Sequence, residues 1–302
     1  MNLAQSCLLI LLAAIWGASF LFIRIAVPEF GAVWLVALRV LAGALFLLAS
    51  AALWRRRLPL RGNTRHFLIL GLLNTALPFF LFSVAAQTLN ASLLAIVNST
   101  APLWGVVFGF LINRQPPKAR TLAGLLAGCG GVGLLVLHDA SALAAGSWLP
   151  VLATILAPIC YGLASHYARL RTTHLDPSAV AQGSMWGALA CCLPALFVVA
   201  VPAGGDFAAL SGGAWWAALA LGVLCTGVAY LIYFRLIRDI GAASALTVTF
   251  LIPLFGILWG ALFLDEPVTI HTLLGAALVL LGTGLVTGFD PRTLRRGARP
   301  PR

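Results

Sequence analysis

Between Arg65 and Arg114 the chain contains no Asp, Glu, Lys or Arg. So long an uncharged run has few ways to fold. It is enough chain for two membrane crossings of about 20 residues each with a tight turn between them. The whole sequence follows the same rule, with 61% hydrophobic and 9% charged residues, against roughly 25% charge in a soluble domain. A buried soluble bundle would need a charged outer face that this composition does not supply. In lipid only helices and closed barrels satisfy every backbone polar group. Barrel strands alternate over roughly ten residues. The apolar runs here are continuous and about twice as long, so the spans are expected to be helical.

Breaks at Pro, Gly, Asn and charge clusters predict ten spans, near 3–25, 32–54, 66–87, 90–112, 119–138, 147–168, 178–200, 213–236, 241–264 and 269–289. The joints Gln87-Thr88-Leu89-Asn90 and Asp239-Ile240-Gly241 are short enough to make antiparallel hairpins. Met1 to Ile23 lacks Lys and Arg, which predicts a retained first span rather than a signal peptide. The tail from Asp290 to Arg302 is Pro/Arg-rich and is expected to be a disordered basic cytoplasmic segment.

A second pattern orders the spans. Residues 71–135 recur without a gap as 222–286. Under this offset of 151, Gly71, Thr75, Pro102, Gly105 and Gly109 fall on Gly222, Thr226, Pro253, Gly256 and Gly260. One stretch breaks the match: Arg114-Gln115 is replaced by Asp265-Glu266. An odd number of spans separates the copies, so they enter the membrane in opposite senses. The expected organisation is a first five-helix repeat over 1–140, a second over 141–289 and a tail over 290–302. Earlier spans match more weakly under an offset of 145, which pairs Trp16-Gly17 with Tyr161-Gly162 and Arg24 with Arg169.

With both termini cytoplasmic, 17 of the 19 basic residues fall inside, Arg24 and Arg39 being the others. Glu29, Asp139, Asp206, Asp265 and Glu266 then fall outside. The positive-inside rule selects this orientation. The net charge of +11 is therefore an orientation signal. Dispersed over five segments, it lacks the clustered face with interleaved aromatics that nucleic-acid binding needs. The six cysteines lie inside apolar runs without metal-ligand spacing, and read as small packing residues.

In this order the motifs resemble the EamA family of the drug/metabolite transporter superfamily, ten-helix bacterial exporters. The resemblance rests on Trp16-Gly17-Ala18-Ser19-Phe20 and Leu38-Arg39-Val40-Leu41-Ala42 in the first half. In the second it rests on Ala242 through Pro253-Leu254, then Asp265-Glu266-Pro267-Val268-Thr269, Gly275 and Gly282. It covers nearly the whole chain. It implies an all-α membrane fold of two five-helix inverted repeats around a central cavity, in a bacterial inner membrane. It also implies export of small metabolites, above all amino acids, with aromatic ones among them. The family usually carries an acid after the fourth span; Asn113-Arg114-Gln115 stands there instead, which removes any shared role for that acid.

Candidate site residues follow from cost. Pro102 and Pro253 sit at matched mid-span places, where proline kinks a helix and frees the carbonyl four residues earlier. Those carbonyls belong to Asn98 and Thr249. Either the two side chains form a mid-membrane polar patch, or each caps its own backbone. Trp16, Phe79, Phe82, Trp104, Tyr161, Tyr230 and Tyr233 fall in span bodies, and Phe79/Tyr230 and Phe82/Tyr233 are repeat mates. Buried Tyr and Trp need polar partners; such a lining suits flat, amphipathic or cationic cargo. Arg39 lies roughly 10 Å deep at ~1.5 Å per residue. It is either a substrate or gating group, or a structural one that snorkels or pairs with Glu29. His166 is expected at the inner interface. The pairs Gly105/Gly109, Gly256/Gly260 and Gly124/Gly128 read as helix-packing faces.

No Asp or Glu is expected inside a span, whereas proton-coupled carriers commonly use a buried carboxylate. The expectation is gradient-driven efflux by alternating access, without a carboxylate proton relay and without cofactor or metal. The partners are a small-molecule cargo and the lipid bilayer, the chain working as a monomer. Other cargoes to weigh are a cationic drug and a nucleotide-linked sugar; the latter would want basic residues deep in the cavity, where Arg39 is the one candidate. A membrane-embedded enzyme would need a reactive constellation such as HExxH or GxSxG, and none occurs. A receptor or scaffold would not need the repeat.

Overall fold

A computed structural model describes residues 3–53, 62–113, 118–139, 142 and 148–287. The Arg55–Arg57 cluster, Arg61, Arg114-Gln115 and the tail lie outside the described residues. Among those described, every regular element is a helix: α1 (Leu3–Leu53), α2 (Thr64–Ala85), α3 (Ala91–Asn98), α4 (Ala101–Asn113), α5 (Ala119–His138), α6 (Leu149–Arg171), α7 (Pro177–Val198), α8 (Gly212–Ile240), α9 (Ala242–Ala245), α10 (Val248–Phe263) and α11 (Ile270–Thr287), with two short 3₁₀ turns before α8. Eight helices are long and apolar enough to cross a membrane, taking α3 and α4 together; α10 is a shorter apolar helix.

Helix α1 has 51 residues, about 76 Å at ~1.5 Å per residue and more than twice a bilayer's ~30 Å core. Gly31 divides it. Its φ of 69° and ψ of 165° lie where L side chains are excluded, so the chain reverses there without a loop. The first arm therefore runs on to Phe30, five residues beyond the expected end of span one.

The prolines act unequally. Ahead of Pro102 the helix is interrupted: Ser99 and Thr100 N–H donate three residues back, to Ile96 and Val97, and α4 starts at Ala101. Pro253, by contrast, lies inside α10. The interruption in that half falls earlier, at Leu246-Thr247 between α9 and α10. The kinks are thus not equivalent, because the hydroxyls that stabilise them sit at different places: Ser99 and Thr100 in one half, Thr247 in the other.

Packing nevertheless repeats. A Cβ on Gly17 would lie 2.7 Å from Phe255 Cβ and 3.0 Å from Gly256 N; one on Gly162 would lie 2.7 Å from Trp104 Cβ and 2.8 Å from Gly105 N. These are the same contacts under the two offsets. Likewise a Cβ on Gly71 would meet Ser184 O at 2.7 Å, and one on Gly222 would meet Arg39 O at 2.8 Å. Backbones approach this closely only across glycine. Helices α5 and α11 pack through Gly124 against Gly282 and Gly131 against Gly275, a pairing that the 151 shift maps onto itself.

Both halves also carry a wide, π-type turn, Leu72–Ala76 in α2 and Ala220–Val228 in α8. The 151 shift places the first inside the second. Wide turns of this kind are uncommon and cluster at functional sites.

Candidate functional site

The second π-type turn holds Thr226, whose hydroxyl donates five residues back to Leu221 O at 2.9 Å. The same oxygen accepts from Arg39 Nε at 3.2 Å. Arg39 is only 6% exposed, and its guanidinium carbon lies 3.6 Å from the centroid of the Phe79 ring. Tyr161, Tyr230 and Cys225 are within electrostatic reach of the charge. No carboxylate among the described residues pairs with it, the ion pairs there being Arg235 and Arg238 with Asp239.

Glu29, the expected structural partner of Arg39, is engaged elsewhere. Ser211 N–H and Oγ–H donate to its two oxygens at 2.6 and 2.5 Å, so Glu29 covers the start of α8. The snorkelling reading fails on burial and the pairing reading on this contact. A guanidinium with one N–H satisfied and a ring beneath it is a ready anion receptor.

The sequence candidates divide into those that join Arg39 and those that do not. Phe79 lies beneath it, and Tyr161 and Tyr230 are within its electrostatic reach. Trp16 packs at a tilt against Tyr233, ring centroids 5.3 Å apart, and the row continues through Phe234 to Tyr230. Phe82 packs edge-on against Phe20 at 5.4 Å in the core, and Trp104 packs on Gly162 beside Tyr161. Thr249 donates to Leu246 O at 2.8 Å, which favours the self-capping alternative. Asn98 is half-buried at the end of α3, and Pro102 and Pro253 have the unequal roles given above. His166 is buried within the protein; Arg169 Nη2 donates to its Nδ1 at 3.3 Å.

A cavity of about 700 Å³ opens at the end of the molecule carrying Arg235 and Arg238. Leu47 and Leu231 form part of its wall and belong to the same apolar cluster as Phe79 and Tyr230. The opposite end is held by contacts between elements distant in the chain. There Ala91 N–H donates to Glu266 Oε1 at 2.6 Å, while Ser92 N–H and Oγ–H donate to Oε2 at 3.0 and 2.6 Å. Glu266 thus caps α3, as carboxylates do at the positive end of a helix. Trp34 Nε1 also donates to Ala200 O and Arg24 Nη1 to Ala86 O. In the sequence Glu266 marks sidedness and belongs to the Asp265–Thr269 motif. Its target lies 175 residues away, which neither signal could indicate.

The EamA-like transporter family pattern matches residues 4–137 and 148–288. Relatives include a transporter of Bacillus subtilis, YoaV, 25% identical over 89% of this chain and 91% of its own length. Protein PA1977 of Pseudomonas aeruginosa is 32% identical over 89% and 87%. The inner membrane transporter YedA of Escherichia coli is 25% identical over 90% and 87%. A solved crystal structure matches with a TM-score of 0.63 at 17% identity, covering 98% of this chain and 99% of the other, a likeness of fold.

Proposed function

This chain belongs to the EamA-like transporter family, and on that premise we propose that it exports amino acids or similar small carboxylates by alternating access. The observation that carries the reading is Arg39: buried, unpaired by any described acid, and set on an aromatic ring beside two tyrosines. Such a group binds a carboxylate while the rings receive an apolar or aromatic body. A cationic drug would be repelled there. A nucleotide-linked sugar would want further cations, and none joins Arg39 among the described residues.

The architecture proposed is ten crossings in two oppositely inserted halves. Counting the arms of α1 separately and joining α9 to α10 gives that number. The reciprocal glycine contacts, the matched π-type turns and the two family-matched ranges support it. The basic residues put both termini in the cytoplasm. The 700 Å³ cavity then faces inward and the Glu29 and Glu266 contacts close the outer side.

The test is a panel in proteoliposomes: L-phenylalanine, L-leucine, L-lysine and phenethylamine, which lacks the carboxylate. Saturable flux of the neutral amino acids, with phenethylamine excluded, is the expected result. Flux of phenethylamine alone would overturn the reading.

A further inference from the structure

We infer that Leu246 is a gate residue: when the end of the molecule that carries Arg235 closes, α9 swings onto α4 and Leu246 seats on Gly105. The inference rests on the two-half, alternating-access reading above and on no particular cargo. Its basis is one helix crossing that the repeat specifies twice and the structure makes once. At the Glu266 end, α3 lies against α10. A Cβ on Gly256 would stand 2.2 Å from Ala95 Cβ, and one on Gly260 would stand 2.8 Å from Ser92 Oγ. Both glycines are buried there, as close helix crossings require.

The 151 shift turns these pairs into Gly105 with Leu246 and Gly109 with Ala243. Among the described residues the mate contacts are not made. A Cβ on Gly105 would meet Ser165 Oγ alone, at 3.6 Å, and one on Gly109 nothing within 4 Å. Leu246 is 50% exposed, whereas Ala95 is 0% exposed. A leucine turned to lipid would need no account. Its mate, however, faces the opposing half, so the repeat places Leu246 on the side of its segment that looks toward α4.

The backbone differs in the same sense. Helix α3 runs unbroken over Ala91–Asn98, where it is packed. Its mate stretch, 242–249, breaks at Leu246-Thr247, where Thr247, Thr249 and Phe250 N–H donate three residues back, to Ser244, Leu246 and Thr247. At its other end α9 follows Gly241, whose φ is 82°. A four-residue helix set between such a glycine and a tight turn has a hinge at each end. Closing straightens this stretch into the continuous helix that α3 already is, and brings Leu246 onto Gly105 and α9 onto Gly109.

The experiment reads maleimide labelling rates on purified full-length protein in which the exposed Cys7 and Cys129 are replaced by serine. The probes are the repeat mates, A95C and L246C. Expected is fast labelling of L246C and slow labelling of A95C. Glu266→Ala, which frees the other end, should slow L246C and speed A95C, each by about tenfold. Adding Gly109→Val, which fills the seat of α9, should keep L246C fast. Alone, Gly109→Val should lower flux of whichever panel compound the wild type moves by about tenfold, with the melting temperature unchanged. This inference alone is overturned if Glu266→Ala speeds A95C while L246C stays fast, or if Gly109→Val leaves flux unchanged. A flux loss that comes with a lower melting temperature makes Gly109 structural and overturns it too. If Glu266→Ala alters neither probe, the alternating-access reading falls together with this inference.

Discussion

Arg39 stacks its guanidinium on the Phe79 ring at 3.6 Å. The two residues come from different helices, α1 and α2, and both are buried. A desolvated cation over an aromatic face gains about 2 kcal/mol, and the planar group keeps N–H donors free at its edge. Arg39→Gln should lower L-phenylalanine flux at least about tenfold, and Arg39→Lys less, since lysine keeps the charge but loses the fork. Phe79→Leu should lower it several-fold by the same estimate. Initial rates in proteoliposomes at matched protein content check all three.

Capping of α3 by Glu266 predicts a stability effect at a distance. Glu266→Ala strands the Ala91 and Ser92 donors and should cost about 2 kcal/mol, seen as a lower melting temperature. Gly260→Ala should act in the same direction, because its Cβ would stand 2.8 Å from Ser92 Oγ and crowd the carboxylate. Glu266→Gln, which keeps acceptor capacity on one atom, should be milder than either.

Reciprocal packing predicts reciprocal damage. Gly17→Val and Gly162→Val each force a side chain into the opposite helix's backbone, and the two should lower the yield and melting temperature of purified protein to a similar degree. Gly109→Val is the control. A Cβ there meets nothing within 4 Å, so its effect should be small although it stands in a GxxxG pair.

Energy coupling gives a fourth prediction. Glu29 and Glu266 are committed to helix starts, Asp239 to Arg235 and Arg238. None lies beside Arg39. Efflux down a substrate gradient should therefore be equal with and without an imposed pH gradient. Uphill movement of L-phenylalanine driven by the pH gradient would overturn this.

The sequence carried the fold wherever a local rule sufficed. Uncharged length marked the helices, and glycines shared at a fixed offset marked the contacts that recur in both halves. A break between the first two spans was expected after residue 25, and it falls instead at Gly31, so the first arm runs five residues further. What stayed illegible depended on partners far apart in the chain. Arg39 could be named as costly, but its choice of Thr226 over Glu29 needed the wide turn at Ala220–Val228, and nothing in that run's composition distinguishes a π-type turn from an ordinary one. Pro253 looked equivalent to Pro102, yet the interruption moved to Leu246-Thr247, where the hydroxyls differ.

Closure of the Glu29 and Glu266 end pairs each carboxylate with N–H and O–H groups of the backbone and serine. Those partners carry no net charge, so ionic strength has little on which to act. The other end holds Asp239 beside two exposed arginines, contacts that dissolved ions screen readily. The two faces of one molecule should then answer differently to the same salt. Raising it should leave the Glu29 and Glu266 contacts as they were and weaken, on the other side, contacts made within α8 alone.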